Sequence, residues 1–181
     1  MLISQAKLRD VLAGIKGAKF ATILTETTPK LKGGKSCPLN GIVKLSRVNV
    51  TLNFNYEKAV NRQLEREGKE AEFEAEPRKW GNRLKIDNKS ACLVVKDCQH
   101  EIKLGELSTI PPSKVYLECK VEKALDSVYV LNGKEVPYEE VKPYFYDSTS
   151  RQGTDKEVIV RDYSLSSIRE ITLDKVVYKV V

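Results

Sequence analysis

The chain has 181 residues, with 41% hydrophobic and 31% charged side chains, a composition that buries a core and excludes a disordered polymer. Its net charge of +6 is unevenly spread: residues 1–47 hold nine basic against two acidic side chains, a net of +7, while the other 134 hold 22 against 23. No stretch approaches the ~20 apolar residues that span a bilayer, which excludes a membrane helix.

The N-terminus, MLISQAKLRDVLAGIKGAKF, has no uninterrupted apolar run and no small-residue cleavage site, so a cytoplasmic protein without a membrane partner is expected. Leu8, Val11, Leu12 and Ile15 recur at helical spacing and predict a helix over 5–15, stopped at Gly17. Phe20 to Thr28 is rich in β-branched and aromatic residues and predicts a strand ending at Pro29. PKLKGGKSCPLNG follows, and loops of that length in compact domains are usually functional or mobile. Val43 to Phe54 alternates as a second strand, with a slip near Ser46.

Asn55 can cap a helix from Tyr56 to about Glu67, ended by Gly68. Tyr56, Val60 and Leu64 line one side; Lys58, Arg62 and Arg66 form a basic column on the other. Like charges at that spacing repel by a few tenths of a kcal/mol, which an external anion would offset. Pairing of Arg62 with Glu65 and of Arg66 with Glu70 would equally make it a solvated face. From Ala91 onward strands dominate: ACLVV, KVYLECKVEKA, SVYVL, KEVIVRDY, SIREITL and KVVYKVV. Asn132-Gly133 is a strong hairpin turn and Asp174-Lys175 a weaker one, while PYEEVKPYF reads as one helical turn between prolines. A single domain over 1–181 is expected, divisible into a basic part (1–85) and a β-rich part (90–181). Its fold class is α+β: a mainly antiparallel curved sheet or partly open barrel of the oligonucleotide-binding type, with two or three short helices.

Catalytic constellations are scarce. GGKS at 33–36 resembles the end of a phosphate-binding loop, but Pro29 stands where its first glycine belongs and Pro38 follows where a helix must start. The single histidine, His100, has no nucleophile-like turn near it, so the inventory leans away from an enzyme and no cofactor is expected. Cys92, Cys98 and His100 form a C-x5-C-x-H run that matches no usual zinc spacing; reduced core cysteines are the simpler reading, and no metal is expected.

Binding chemistry is better represented. Lys30, Lys32, Lys35, Lys44 and Arg47 crowd the first hairpin, and such an excess attracts polyanions. Arg78, Lys79 and Arg83 surround Trp80, whose indole can either stack a base or anchor the core. Arg151 and Gln152 sit in a polar loop suited to phosphate or base-edge contacts. Tyr144, Phe145 and Tyr146, just before it, cannot all be buried on one side.

NRQLEREGKEAEFEAEPRKWGNRL (61–84), VYLECKVEKAL (115–125) and SRQGTDKEVIVRDYSLSSIREI (150–171) resemble a group of small bacteriophage-encoded proteins of unassigned function. The resemblance implies a phage protein at work in a bacterial cytoplasm. It supplies no site residues. Two functions are therefore expected: a non-enzymatic binder of single-stranded nucleic acid, or a counter-defence protein. The latter would sequester a small anionic nucleotide messenger, in a pocket that homo-oligomerisation would favour, or inhibit a host defence protein.

Overall fold

A computed structural model describes residues 1–33, 37–53, 68, 83–85, 92–96, 108–146 and 160–181. The expected helix at 56–67, with Lys58, Arg62 and Arg66, lies outside them, as do Lys35, Arg78, Lys79, Trp80, Cys98, His100, Arg151 and Gln152.

Among the described residues the fold is α+β, dominated by one ten-stranded sheet. A short β1 (Leu2–Ile3) leads into α1 (Gln5–Ala13), whose first turn is closed by the Ser4 hydroxyl accepting from Lys7 N at 3.2 Å. Leu8 and Leu12 are fully buried on its inner side. The helix ends two residues earlier than the spacing suggested, yet Ile15 stays buried after the turn. Gly17, at φ 68°, redirects the chain into β2 (Lys19–Thr27).

β2 pairs antiparallel with β3 (Val43–Leu52) in continuous register from Lys19↔Leu52 to Thr27↔Lys44. Period-two alternation turns Ala21, Ile23 and Thr25 and, opposite them, Val48, Val50 and Leu52 to the core face. β3 then pairs with β6 (Val115–Leu131), a single strand where the sequence suggested two. Two register shifts, between Ser46 and Val48 and between Asn49 and Val50, each insert an extra residue on the β6 side. These bulges coincide with the slip read near Ser46, and they hide the continuity of β6 by breaking its alternation.

β4 (Arg83–Lys85) and β5 (Leu93–Lys96) extend the sheet beside β6; β7 (Lys134–Val136) and β8 (Val160–Ser164) pair along its other edge. On the far side of β2 come β9 (Ile168–Leu173) and β10 (Val176–Val180), joined by Asp174-Lys175, both left-handed at φ 50° and 66°. β1 closes that end as a parallel partner of β10, so the sheet is mixed. The path runs β1-β10-β9-β2-β3-β6-β5-β4, and among the described residues nothing pairs β1 with β4. Of the two forms expected, a curved sheet and a partly open barrel, the described residues form a mixed sheet that is not closed. Two short helices, α1 and α2 (Tyr138–Val141), accompany it, and no described helix is long and apolar enough to cross a membrane.

Two apolar clusters hold the molecule. The larger places α1 against Ile23, Val50, Leu52, Leu117, Ile168 and Ile171. The smaller gathers Cys37, Leu39, Ile42 and Val141, with Tyr129, Leu131 and Phe145 packed on it. Cys92 and Cys119 are fully buried in the larger cluster. Burial pushes Cys92 up to about 11, and its Sγ donates to Leu12 O at 3.1 Å. Burial raises Cys119 further still.

Tyr163 is likewise pushed up to about 12 by burial. Groups with raised folded-state values stabilise fully below their unfolded values and lose that contribution as pH rises. The urea midpoint should therefore hold to about pH 8.5 and fall from about pH 9 to 11. At pH 8, iodoacetamide followed by peptide mapping should leave Cys92 and Cys119 unmodified in the native protein and alkylate both in urea. Native labelling would show that this core opens.

Candidate nucleotide-binding groove

The β6–β7 hairpin turns at Asn132-Gly133, with φ 52° and 77°, the paired left-handed geometry of a two-residue turn. Its register sets Tyr129 opposite Val136 on one side and opposite Lys44 of β3 on the other. Pro137 then starts α2, and Pro143 lies in the 3-10 turn Lys142–Tyr144 that follows. This segment folds back onto the basic loop after β2. Leu31 bridges Phe145, Lys32 N donates to Tyr144 O at 2.9 Å, and Tyr146 N donates to Lys30 O at 3.2 Å.

The result is an aromatic shelf. Tyr129 stacks on Tyr138 with centroids 5.6 Å apart, and Phe145 tilts against both at 5.1 and 6.4 Å. Phe145 is half-buried in the smaller cluster, while Tyr138 and Tyr146 remain 47% and 49% exposed. An open groove of about 670 Å³ runs along the shelf, lined by Tyr129, Tyr138, Phe145 and Tyr146 together with Lys32, Lys44, Lys142, Ser127 and Pro143. Ammonium groups lie over the rings: Lys30 Nζ is 5.1 Å from the Tyr146 centroid, Lys44 Nζ 5.8 Å from Tyr129, and Lys142 Nζ 6.0 Å from Tyr138. Each is a cation–π contact of modest strength at an exposed site.

Among the described residues no carboxylate lines the groove, and none of the four lysines is in an ion pair. Burial, with the neighbouring Tyr138 phenol, raises the Tyr129 hydroxyl above its ordinary value, so it stays a proton donor at neutral pH. The site thus combines positive charge, hydroxyl donors and exposed ring faces. That set can hold an anion carrying a planar ring.

The opposite face of the sheet has the reverse character. Arg47 lies three residues from Lys44 and so points to the other side, where its Nη1 donates to Glu170 Oε1 at 3.1 Å. Arg169 pairs with Glu26 at 2.9 Å, and the Thr22 hydroxyl donates to Asn49 Oδ1 at 2.8 Å. Its polar groups are largely matched to one another.

Of the sequence candidates, Lys32 and Lys44 line the groove and Lys30 sits at its rim. Arg47 is on the other face, and Arg83 lies in β4, opposite Lys96. Sequence reading missed Ser127, Tyr129, Tyr138 and Lys142. The Tyr144–Tyr146 cluster was the available signal: Tyr144 and Tyr146 are exposed and Phe145 is inward, as three consecutive aromatics require.

Because these lysines have no acidic partner among the described residues, they are expected to add little to folding. Changing Lys32, Lys44 or Lys142 singly to Gln should move the melting temperature by no more than ~0.5 kcal/mol implies. A fall of many degrees in differential scanning fluorimetry would make the residue structural. No known family model matches the chain, and no curated protein or solved structure matches it either.

Proposed function

We propose that this protein binds single-stranded nucleic acid non-enzymatically, along the groove between the basic loop and α2. The observation that carries the reading is a set of lysines, Lys30, Lys32, Lys44 and Lys142, that have no carboxylate partner among the described residues and lie around the exposed rings of Tyr138 and Tyr146. Uncompensated ammonium groups attract phosphates and release their counterions, and exposed aromatic faces stack unpaired bases. A duplex keeps its base faces covered, so the rings favour a single strand. Closure of the sheet into a barrel is not required for this chemistry. The phage context implied by the sequence resemblance would make phage strands in a host cytoplasm the natural ligand.

A small anionic nucleotide is the second reading, favoured by one observation: the volume of the groove, about 670 Å³, lies within the range of small-molecule sites. Length dependence separates the two. In fluorescence anisotropy, a strand binder gains affinity as an oligonucleotide lengthens, whereas a messenger-sequestering pocket saturates with one small molecule. Inhibition of a host protein would show neither behaviour.

Three to four phosphate contacts at ~0.7 each predict a log–log salt slope of about −2 to −3 from the groove alone. Replacing Lys32, Lys44 and Lys142 together by Ala should remove about 2 from that slope. Tyr138→Ala should weaken binding by about 1–3 kcal/mol. A salt-independent interaction, or one unaffected by these substitutions, would remove the groove from the account.

A further inference from the structure

Resting on the strand-binding reading, we infer that Phe145 is a positioning residue of the groove, setting the orientation in which Tyr138 meets a base. Phe145, Tyr129 and Tyr138 form a closed triangle of rings, with centroids 5.1, 5.6 and 6.4 Å apart. All three separations fall in the range where the negative face and positive edge of aromatic rings favour a particular mutual tilt. Tyr138 is 47% exposed and belongs to α2, a helix of four residues with one buried side chain, Val141. So short a helix owes its order to tertiary packing, and an exposed ring on it takes its aim from the rings beside it. Two of the three corners are anchored. Tyr129 is paired in β6 with strands on both sides, and Phe145 packs with it on the smaller apolar cluster.

The backbone of the same segment has a separate task. Lys32 N donates to Tyr144 O at 2.9 Å and Tyr146 N to Lys30 O at 3.2 Å, which aligns the basic loop beside the rings. Phe145 N donates to Lys142 O at 3.2 Å and closes the 3-10 turn. These bonds use main-chain atoms, and Phe145 has an extended backbone at φ −87° and ψ 144° that leucine adopts without strain. Leucine at this position therefore keeps the lysines in place, refills part of the apolar space and removes the ring. The stacking half of the site is separated from the charged half by one side chain.

The test is fluorescence anisotropy of the full-length protein with a fluorescein-labelled 12-nucleotide oligothymidylate. Phe145→Leu is expected to weaken binding by about fivefold or more, a share of what one stacked base contributes. Its melting temperature should stay within a few degrees, and its log–log salt slope should not change, because the phosphate contacts persist. Phe145→Tyr, which keeps the ring, should restore the affinity to within about twofold. In a Tyr138→Ala background, Phe145→Leu should cost less than about twofold more, because the ring it aims is gone. Unweakened binding by Phe145→Leu overturns the inference. So does failure of Phe145→Tyr to restore affinity, a reduced salt slope, or an undiminished loss in the Tyr138→Ala background. Should Phe145→Leu fail to fold, Phe145→Met takes its place, and unfolding of both overturns the inference by making Phe145 structural. Absence of binding by the unaltered protein overturns the strand-binding reading itself, and this inference with it.

Discussion

Period-two alternation along β3 is the constraint on which the rest of the molecule depends. Its even positions run from Lys44 and Ser46 to Val48, Val50 and Leu52 in the larger core, and Ile42, just before the strand, belongs to the smaller cluster. This stretch thus serves two apolar clusters and a polar interval between them. The odd positions carry Arg47, Asn49 and Thr51 into hydrogen bonds with Glu170, Thr22 and Glu122. A single slip would send charged groups into the core and apolar ones into water. Continuous pairing with β2 and dense burial around Val50 and Leu52 make such a slip prohibitive, and the position of Lys44 beside Tyr129 follows from that.

The smaller cluster is a scaffold for display more than for stability. Four buried side chains, Cys37, Leu39, Ile42 and Val141, contribute far less than the larger core. They nevertheless clamp the basic loop to α2, and two backbone hydrogen bonds beside the Leu31–Phe145 bridge fix the alignment. Crowding four ammonium groups at this end works against folding through their mutual repulsion. On the other face the chain matches charges with opposite charges. The two faces of the sheet therefore differ in how their charges are balanced among the described residues.

Elements whose signal is local were legible in the sequence. The first helix, the β2–β3 hairpin, the turn at Asn132-Gly133 and the strand pair around Asp174-Lys175 all follow from spacing and turn chemistry within a few residues. The length of β6 was not legible, because exposed residues over 122–127, Ala124 and Leu125 among them, and two bulges interrupt its alternation. Lys32 and Lys44 were found by charge, but charge alone cannot tell a face, which is why Arg47 was grouped with them. The aromatic shelf escaped for a different reason. Its meeting with the basic loop depends on Leu31 and Phe145, more than a hundred residues apart, and no local pattern encodes so distant a contact.

That distance also bears on how the protein is made. Lys30, Lys32 and Lys44 are synthesised long before Tyr129, Tyr138 and Tyr146. During that interval the nascent chain has its positive charge but no ring against which to order it. Its ammonium groups are then loosely placed, like those of any basic tail. Completion of the chain through Tyr146 supplies the rings and the Leu31–Phe145 bridge, so the groove takes shape late in synthesis, with folding.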